Sequence, residues 1–174
     1  KITSKILKLR IKKDIKLINL IKFLHKSYKI AIATNAVKST LNICLKQLGI
    51  NKYVDYKLSN EDVNNPKPNP EIYLRIFLHF GIYPSEAIIF EDSHYGREAA
   101  VSSGAQLYPV KNISDLNLKN VKMVLNEKKV NFKKNISWED NKMNILIPMA
   151  GAGKRFFDAG YVFPKPLIEV DNKP

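Results

Sequence analysis

Cysteine is almost missing from this sequence: Cys44 is the single one in 174 residues. One thiol can form neither an internal disulfide nor a thiolate zinc cluster, which fits a reducing compartment and points to the cytoplasm. Long apolar runs are missing too, so no segment has the length of a bilayer span and no membrane partner is expected. The opening KITSKILKLRIKKDIK lacks the apolar stretch and the small-residue cleavage site of a signal peptide, and begins on Lys rather than Met. The chain closes on IEVDNKP without a final helix, so both ends read as cut from something longer. Acidic residues are scarce, 16 against 29 Lys and Arg, for a net charge of +13. The lysines are spread along the whole length among Ile and Asn. No basic cluster is interleaved with aromatics, so no nucleic-acid groove is expected, and bulk charge alone would give only salt-sensitive binding.

What is present is enough apolar residue, 45% of the chain, to bury one core. Residues 13–27 carry apolar positions near helical spacing and lead into KIAIAT at 29–34, which reads as a buried strand. Val37 to Leu48 is again helical and stops at Gly49, where a left-handed cap is expected. VDYKL at 54–58 reads as a short strand, followed by the polar loop NEDVNNPKPNP. Pro70 opens the helix EIYLRIFLHF and Gly81 closes it. AIIF at 87–90 and AQLYPV at 105–110 read as strands, with Ser93 capping the helix between them. Strands alternating with helices predict an α/β fold, a Rossmann-like parallel sheet covered on both faces. Ligands of such sheets sit at the carboxyl ends of the strands.

Thr34, Asn35, Glu91 and Asp92 leave two of these strands at that end. Lys67 lies between Pro66 and Pro68, which restrict where its ammonium can point. A hydroxyl, an amide and an ammonium can hold phosphate oxygens, and two carboxylates suit Mg2+. Singly, each has a plainer reading: Thr34 as a helix cap, Lys67 as a solvated loop lysine, Glu91 and Asp92 as an exposed turn. Together, in this order at strand ends, they point to a phosphate site. His94 reads as a loop or substrate-proximal residue, and His25 and His79 as structural.

IAIATN, KPNPEIY and IIFEDSHYGREAAVSSGA resemble the second, third and fourth motifs of the haloacid dehalogenase-like superfamily, in its β-phosphoglucomutase-like phosphatase branch. The resemblance covers roughly residues 11–118. It implies that Thr34 binds the transferring phosphoryl group, Lys67 stabilises its charge, Asn35 adds a phosphate contact, and Glu91 and Asp92 hold Mg2+. The implied substrate is a small phosphorylated metabolite, a sugar phosphate. The first motif of that family, an Asp nucleophile with a second Asp two residues on, has no counterpart here. Asp14, the one Asp before Thr34, lies in a predicted helix and is followed two residues later by Lys16. A chain without the attacking group is expected to be inactive alone. The alternative is a noncatalytic module that binds a phosphorylated ligand.

Residues 111–142 are polar, Asn- and Lys-rich, and read as a last helix followed by a linker, with the linker set at residues 119–142 after the core of residues 1–118. A strand at 144–149 then runs into a glycine-bearing loop, PMAGAGKRF, followed by FPKPLIEV. Gly151 and Gly153 allow backbone amides close to phosphate, and Lys154, Arg155 and Lys165 add charge. Residues 143–174 resemble the opening of sugar-1-phosphate nucleotidyltransferases, which implies that the loop and Arg155 bind a nucleoside triphosphate and Lys165 contacts phosphate at the reacting centre. On this reading the chain is part of a bifunctional enzyme, and its last segment is an unfinished second domain making few contacts with the first.

Overall fold

The structure, a computed structural model, describes residues 11–132 and the strand at 144–146. In chain order these are α1 (Ile15–Leu24), β1 (Ile30–Ala33), α2 (Lys38–Leu48), β2 (Tyr56–Leu58), α3 (Glu71–Phe80), β3 (Ala87–Glu91), α4 (His94–Ser102), β4 (Gln106–Pro109), α5 (Leu118–Phe132) and β5 (Asn144–Leu146). Each predicted element is found, with ends shifted by a few residues. The helix ends follow from local chemistry. Asp14 caps α1 by accepting the Leu17 N–H at 3.0 Å. Gly49 and Gly81 end α2 and α3 in the left-handed conformation that glycine adopts without a Cβ penalty. Pro70 stands as the N-cap of α3 rather than its first helical residue.

The sheet is parallel, in the order β2-β1-β5-β3-β4. Alternation along each strand splits the core in two. Ile30 and Ile32 face one layer, where Leu20, Ile21 and Leu24 of α1, Leu41 and Leu45 of α2, and Val121, Val124 and Leu125 of α5 are buried with Ile88 and Phe90. Ala31 and Ala33 face the other layer, where Ile72, Tyr73, Ile76 and Phe77 of α3 pack with Ala99 and Ala100 of α4. Small residues on that face let α3 approach β1 closely, which brings its first turn beside the strand ends. Among the described residues no helix is long and apolar enough to cross a membrane.

Two elements, α5 and β5, bear on what is expected of the later part of the chain. The last helix expected within residues 111–142 is α5, which runs through to Phe132 and so takes up the first residues set as linker from 119; its Val121, Val124 and Leu125 are spaced i, i+3, i+4 and bury a stripe in the core. The strand expected to begin a separate domain is β5, hydrogen-bonded between β1 and β3, with Ile145 opposite both Ile30 and Ile88. The physical reason is edge satisfaction. β1 and β3 each offer a row of backbone groups toward the middle of the sheet, and an apolar strand inserted there pairs both rows.

Candidate active site

Thr34, Asn35, Lys67, Glu91 and Asp92 all lie at the carboxyl end of the sheet, just past β1, in the loop before α3, and at the end of β3. Thr34 follows β1 and is held by its N–H bond to Leu58 O of β2 at 3.1 Å. Its buried hydroxyl oxygen accepts the Ala36 N–H at 3.1 Å, which leaves the hydroxyl proton to donate. Asn35 clamps the loop that carries Lys67. Its Nδ2 donates to Lys67 O at 3.0 Å and its Oδ1 accepts the Lys67 N–H at 3.1 Å. The side chain thus mimics a strand partner for Lys67 and places that residue.

The Lys67 ammonium is buried. It donates to Ala33 O at 3.2 Å and to Glu91 Oε2 at 2.8 Å, and lies 4.8 Å from the centre of the Tyr73 ring. An ammonium has three donors. Two are used here, and among the described residues the third has no protein partner, so it can meet a phosphate oxygen. Burial pushes the Lys67 pKa down, while Glu91 and Asp92 oppose that shift. Burial alone would raise Glu91, but the charge and hydrogen bond of Lys67 and the bonds from Ser93 outweigh it, and Glu91 is held below the ordinary carboxylate value.

Glu91, only 1% exposed, accepts from five donors. Oε2 takes Lys67 Nζ and the Tyr73 hydroxyl at 2.9 Å, and Oε1 takes Asp92 N at 3.2 Å, Ser93 N at 3.1 Å and Ser93 Oγ at 2.8 Å. Gly96, in the first turn of α4, makes room for this carboxylate: a Cβ there would fall on the Glu91 carboxyl group. Ser93 also caps α4 by accepting the Gly96 N–H at 3.1 Å. Arg97 fastens the end of β3 to β4, from Nε to Glu91 O at 3.3 Å and from Nη2 to Val110 O at 2.8 Å.

The donor set decides how Mg2+ fits. Asp92 is half-buried beside this cluster and acts as a charge on Lys67. Its carboxylate chemistry suits a hard cation whose remaining ligands are substrate oxygens and water. Glu91 can join it only by releasing a donor, since both of its oxygens are already engaged. His94 is exposed on α4 and paired with Glu98 at 2.9 Å, His25 lies 3.4 Å from Asp55 at the opposite end of the sheet, and His79 stacks on Tyr56. Gly151, Gly153, Arg155 and Lys165 lie outside the described residues.

Tyr73, Ser93, Gly96 and Arg97 surround the site without having been singled out for it by sequence. Ser93 is legible as a cap. Tyr73 sits within the quoted KPNPEIY, yet its place on an apolar helix face reads as packing, and nothing local reveals that its hydroxyl reaches a residue 18 positions away.

Comparison with known proteins bears on the same residues. A model of the haloacid dehalogenase-like hydrolases matches residues 4–110. A phosphorylated carbohydrates phosphatase of Thermotoga maritima is 37% identical over 81 residues, 47% of this chain and 38% of that protein. A fructose-1-phosphate phosphatase of Escherichia coli is 26% identical over 95 residues, 55% of this chain and 50% of that protein. A crystal structure from Thermotoga maritima provisionally named β-phosphoglucomutase superposes with a TM-score of 0.58 at 27% identity, covering 76% of this chain and 65% of that one. The chain therefore spans half or less of these curated relatives. The parallel sheet, the strand-end cluster and the family match over most of the described residues agree: the chain belongs to the haloacid dehalogenase-like hydrolases.

Proposed function

We propose that this chain carries the phosphate-holding and metal-holding part of a phosphoryl-transfer centre acting on a small phosphorylated metabolite, with sugar phosphates as the substrate class. The observation that carries this reading is the Lys67 ammonium, buried between Glu91 and the carbonyl of Ala33, the residue before Thr34, with its third donor unpaired among the described residues. A buried cation so constrained costs no reorganisation when charge develops on phosphorus. The names of two phosphatases similar to it favour phosphorylated sugars.

In this reading the Thr34 hydroxyl and the Lys67 ammonium hold and orient the phosphoryl oxygens. Asn35 fixes the Lys67 backbone, and Glu91 fixes its ammonium. Asp92, with Glu91 where it yields a donor, would hold Mg2+, which when bound neutralises phosphate charge. Attack on phosphorus requires a nucleophile, and no Asp-x-Asp pair occurs anywhere in the 174 residues. A second reading is a noncatalytic module recognising a phosphorylated ligand through the same site. The coding sequence upstream separates the two: an Asp-x-Asp on an apolar strand supports the enzyme. If the upstream sequence supplies that Asp-x-Asp, phosphate release from sugar monophosphates with Mg2+ by the chain that includes it should fall at least about tenfold in Asp92→Asn while the fold is retained. Unchanged release in that variant sinks the metal assignment.

Residues 143–174 we read as the opening of a nucleotidyltransferase, with Gly151, Gly153, Arg155 and Lys165 contacting nucleoside triphosphate in a completed domain. The pairing of β5 with β1 and β3 argues against a boundary at residue 143. Limited proteolysis decides: early cleavage within residues 111–142 supports the boundary, and resistance equal to that of β3 removes it.

A further inference from the structure

We propose that Tyr73 is a positioning residue of this site, its hydroxyl and ring together fixing the Lys67 ammonium and the Glu91 carboxylate in one geometry. Tyr73 is wholly buried in the first turn of α3, within the layer of Ile72, Ile76 and Phe77. Its ring fills a space that Phe would fill equally well. A buried hydroxyl without a partner is costly, so the hydroxyl is informative. It donates at 2.9 Å to Glu91 Oε2, the same oxygen that accepts Lys67 Nζ at 2.8 Å. The ring of the same side chain lies 4.8 Å from that Nζ, within cation–π range. One residue therefore touches both members of the ion pair, from the core side and away from solvent. With Ala33 O and Oε2 each taking one Lys67 donor, the third is left for another acceptor. Burial and the Glu91 charge raise the Tyr73 pKa, so the hydroxyl stays protonated and keeps donating.

This inference rests on reading the site as one that binds phosphate, and its test separates the two. In the full 174-residue chain, Tyr73→Phe removes one oxygen and keeps the ring. Affinity for inorganic phosphate, measured by calorimetry, should fall about tenfold, the loss of one hydrogen bond to a charged group. The 1H–15N signal of the Lys67 ammonium should shift or broaden. Ile72→Val, a packing change one residue away, should lower stability and leave phosphate affinity and the Lys67 signal unchanged. Equal phosphate affinity and an unmoved Lys67 signal in Tyr73→Phe would overturn the proposal and leave Tyr73 a packing residue. If the wild-type chain binds no phosphate, the site reading fails, and the Lys67 signal still decides whether Tyr73 positions the pair. Should Tyr73→Phe not fold, the hydroxyl proton of Tyr73 in the wild type serves instead. It should shift on adding phosphate, and a fixed resonance at saturating phosphate would overturn the proposal.

Discussion

Two lysine–carboxylate pairs lie at the carboxyl end of the sheet, and they differ in almost everything except chemistry. Lys67 and Glu91 meet at 2.8 Å with side chains 5% and 1% exposed, while Lys38 and Asp62 meet at 2.6 Å with side chains 57% and 18% exposed. The outer pair belongs to a rim where Glu61 accepts the Lys38 N–H at 2.8 Å and so serves the uncapped start of α2. The inner pair is roofed by Tyr73, Ala33 O, Ser93 and the space beside Gly96. Water screens the outer pair, so it adds little to stability. The inner pair has given up its hydration and depends on its partners. A buried charge kept in place by five or more contacts is a device for geometry, and geometry is what a phosphate site needs.

Removing a partner from the inner pair is the strongest way to break this contrast. Glu91→Ala strands the Lys67 ammonium, the Tyr73 hydroxyl and the Ser93 donors together, and should cost about 3–5 kcal/mol in urea unfolding. A loss within error of zero would mean that water reaches the pair. Next in size is Gly96→Ala. On helix propensity alone alanine should add up to about 1 kcal/mol. Here the new methyl meets the Glu91 carboxyl, so the net change should be a loss of about 1–3 kcal/mol, and a gain would show that Glu91 has room to move.

The outer pair sharpens the contrast through pH. Burial would raise Asp62, but Lys38 and Ser59 outweigh it and hold the carboxyl at about 2, below its ordinary 3.8. A depressed carboxylate adds stability above its ordinary value and loses it as pH falls toward the folded value. Backbone N–H groups of Asn64 and Asn65, with Arg75, likewise hold Glu71 at about 2. Stability should therefore decline between roughly pH 4 and pH 2 as these carboxyls protonate. Lys38→Ala should raise the Asp62 midpoint only slightly, followed by NMR titration, and lower neutral-pH stability by a correspondingly small amount. A large loss at neutral pH would erase the distinction between the two pairs.

The sequence disclosed the frame and the strand-end residues for a definite reason. Ile30–Ala33 and Ala87–Glu91 are short apolar runs bounded by polar turns, and Gly49 and Gly81 mark helix ends. Those signals are local. Lys67 was legible because two prolines bracket it. The duties of Asn35 and Tyr73 were not, since each depends on a partner 32 or 18 residues away. The burial of α5 was hidden by its Asn and Lys residues, which surround the three apolar positions that decide its face. The place of β5 could not be read at all, because a three-residue apolar strand carries no mark of which sheet it joins.

The central claim is that Thr34, Lys67, Glu91 and Asp92 form one phosphate site at the carboxyl end of the sheet. The direct measurement is a titration of the 15N-labelled chain with inorganic phosphate in the presence of Mg2+, followed by backbone amide shifts. The account predicts that the largest shifts fall at residues 34–36, 67 and 91–93. Shifts centred instead on Lys29, Ile30 and Asp55 at the opposite end, or none at saturating phosphate, would contradict it.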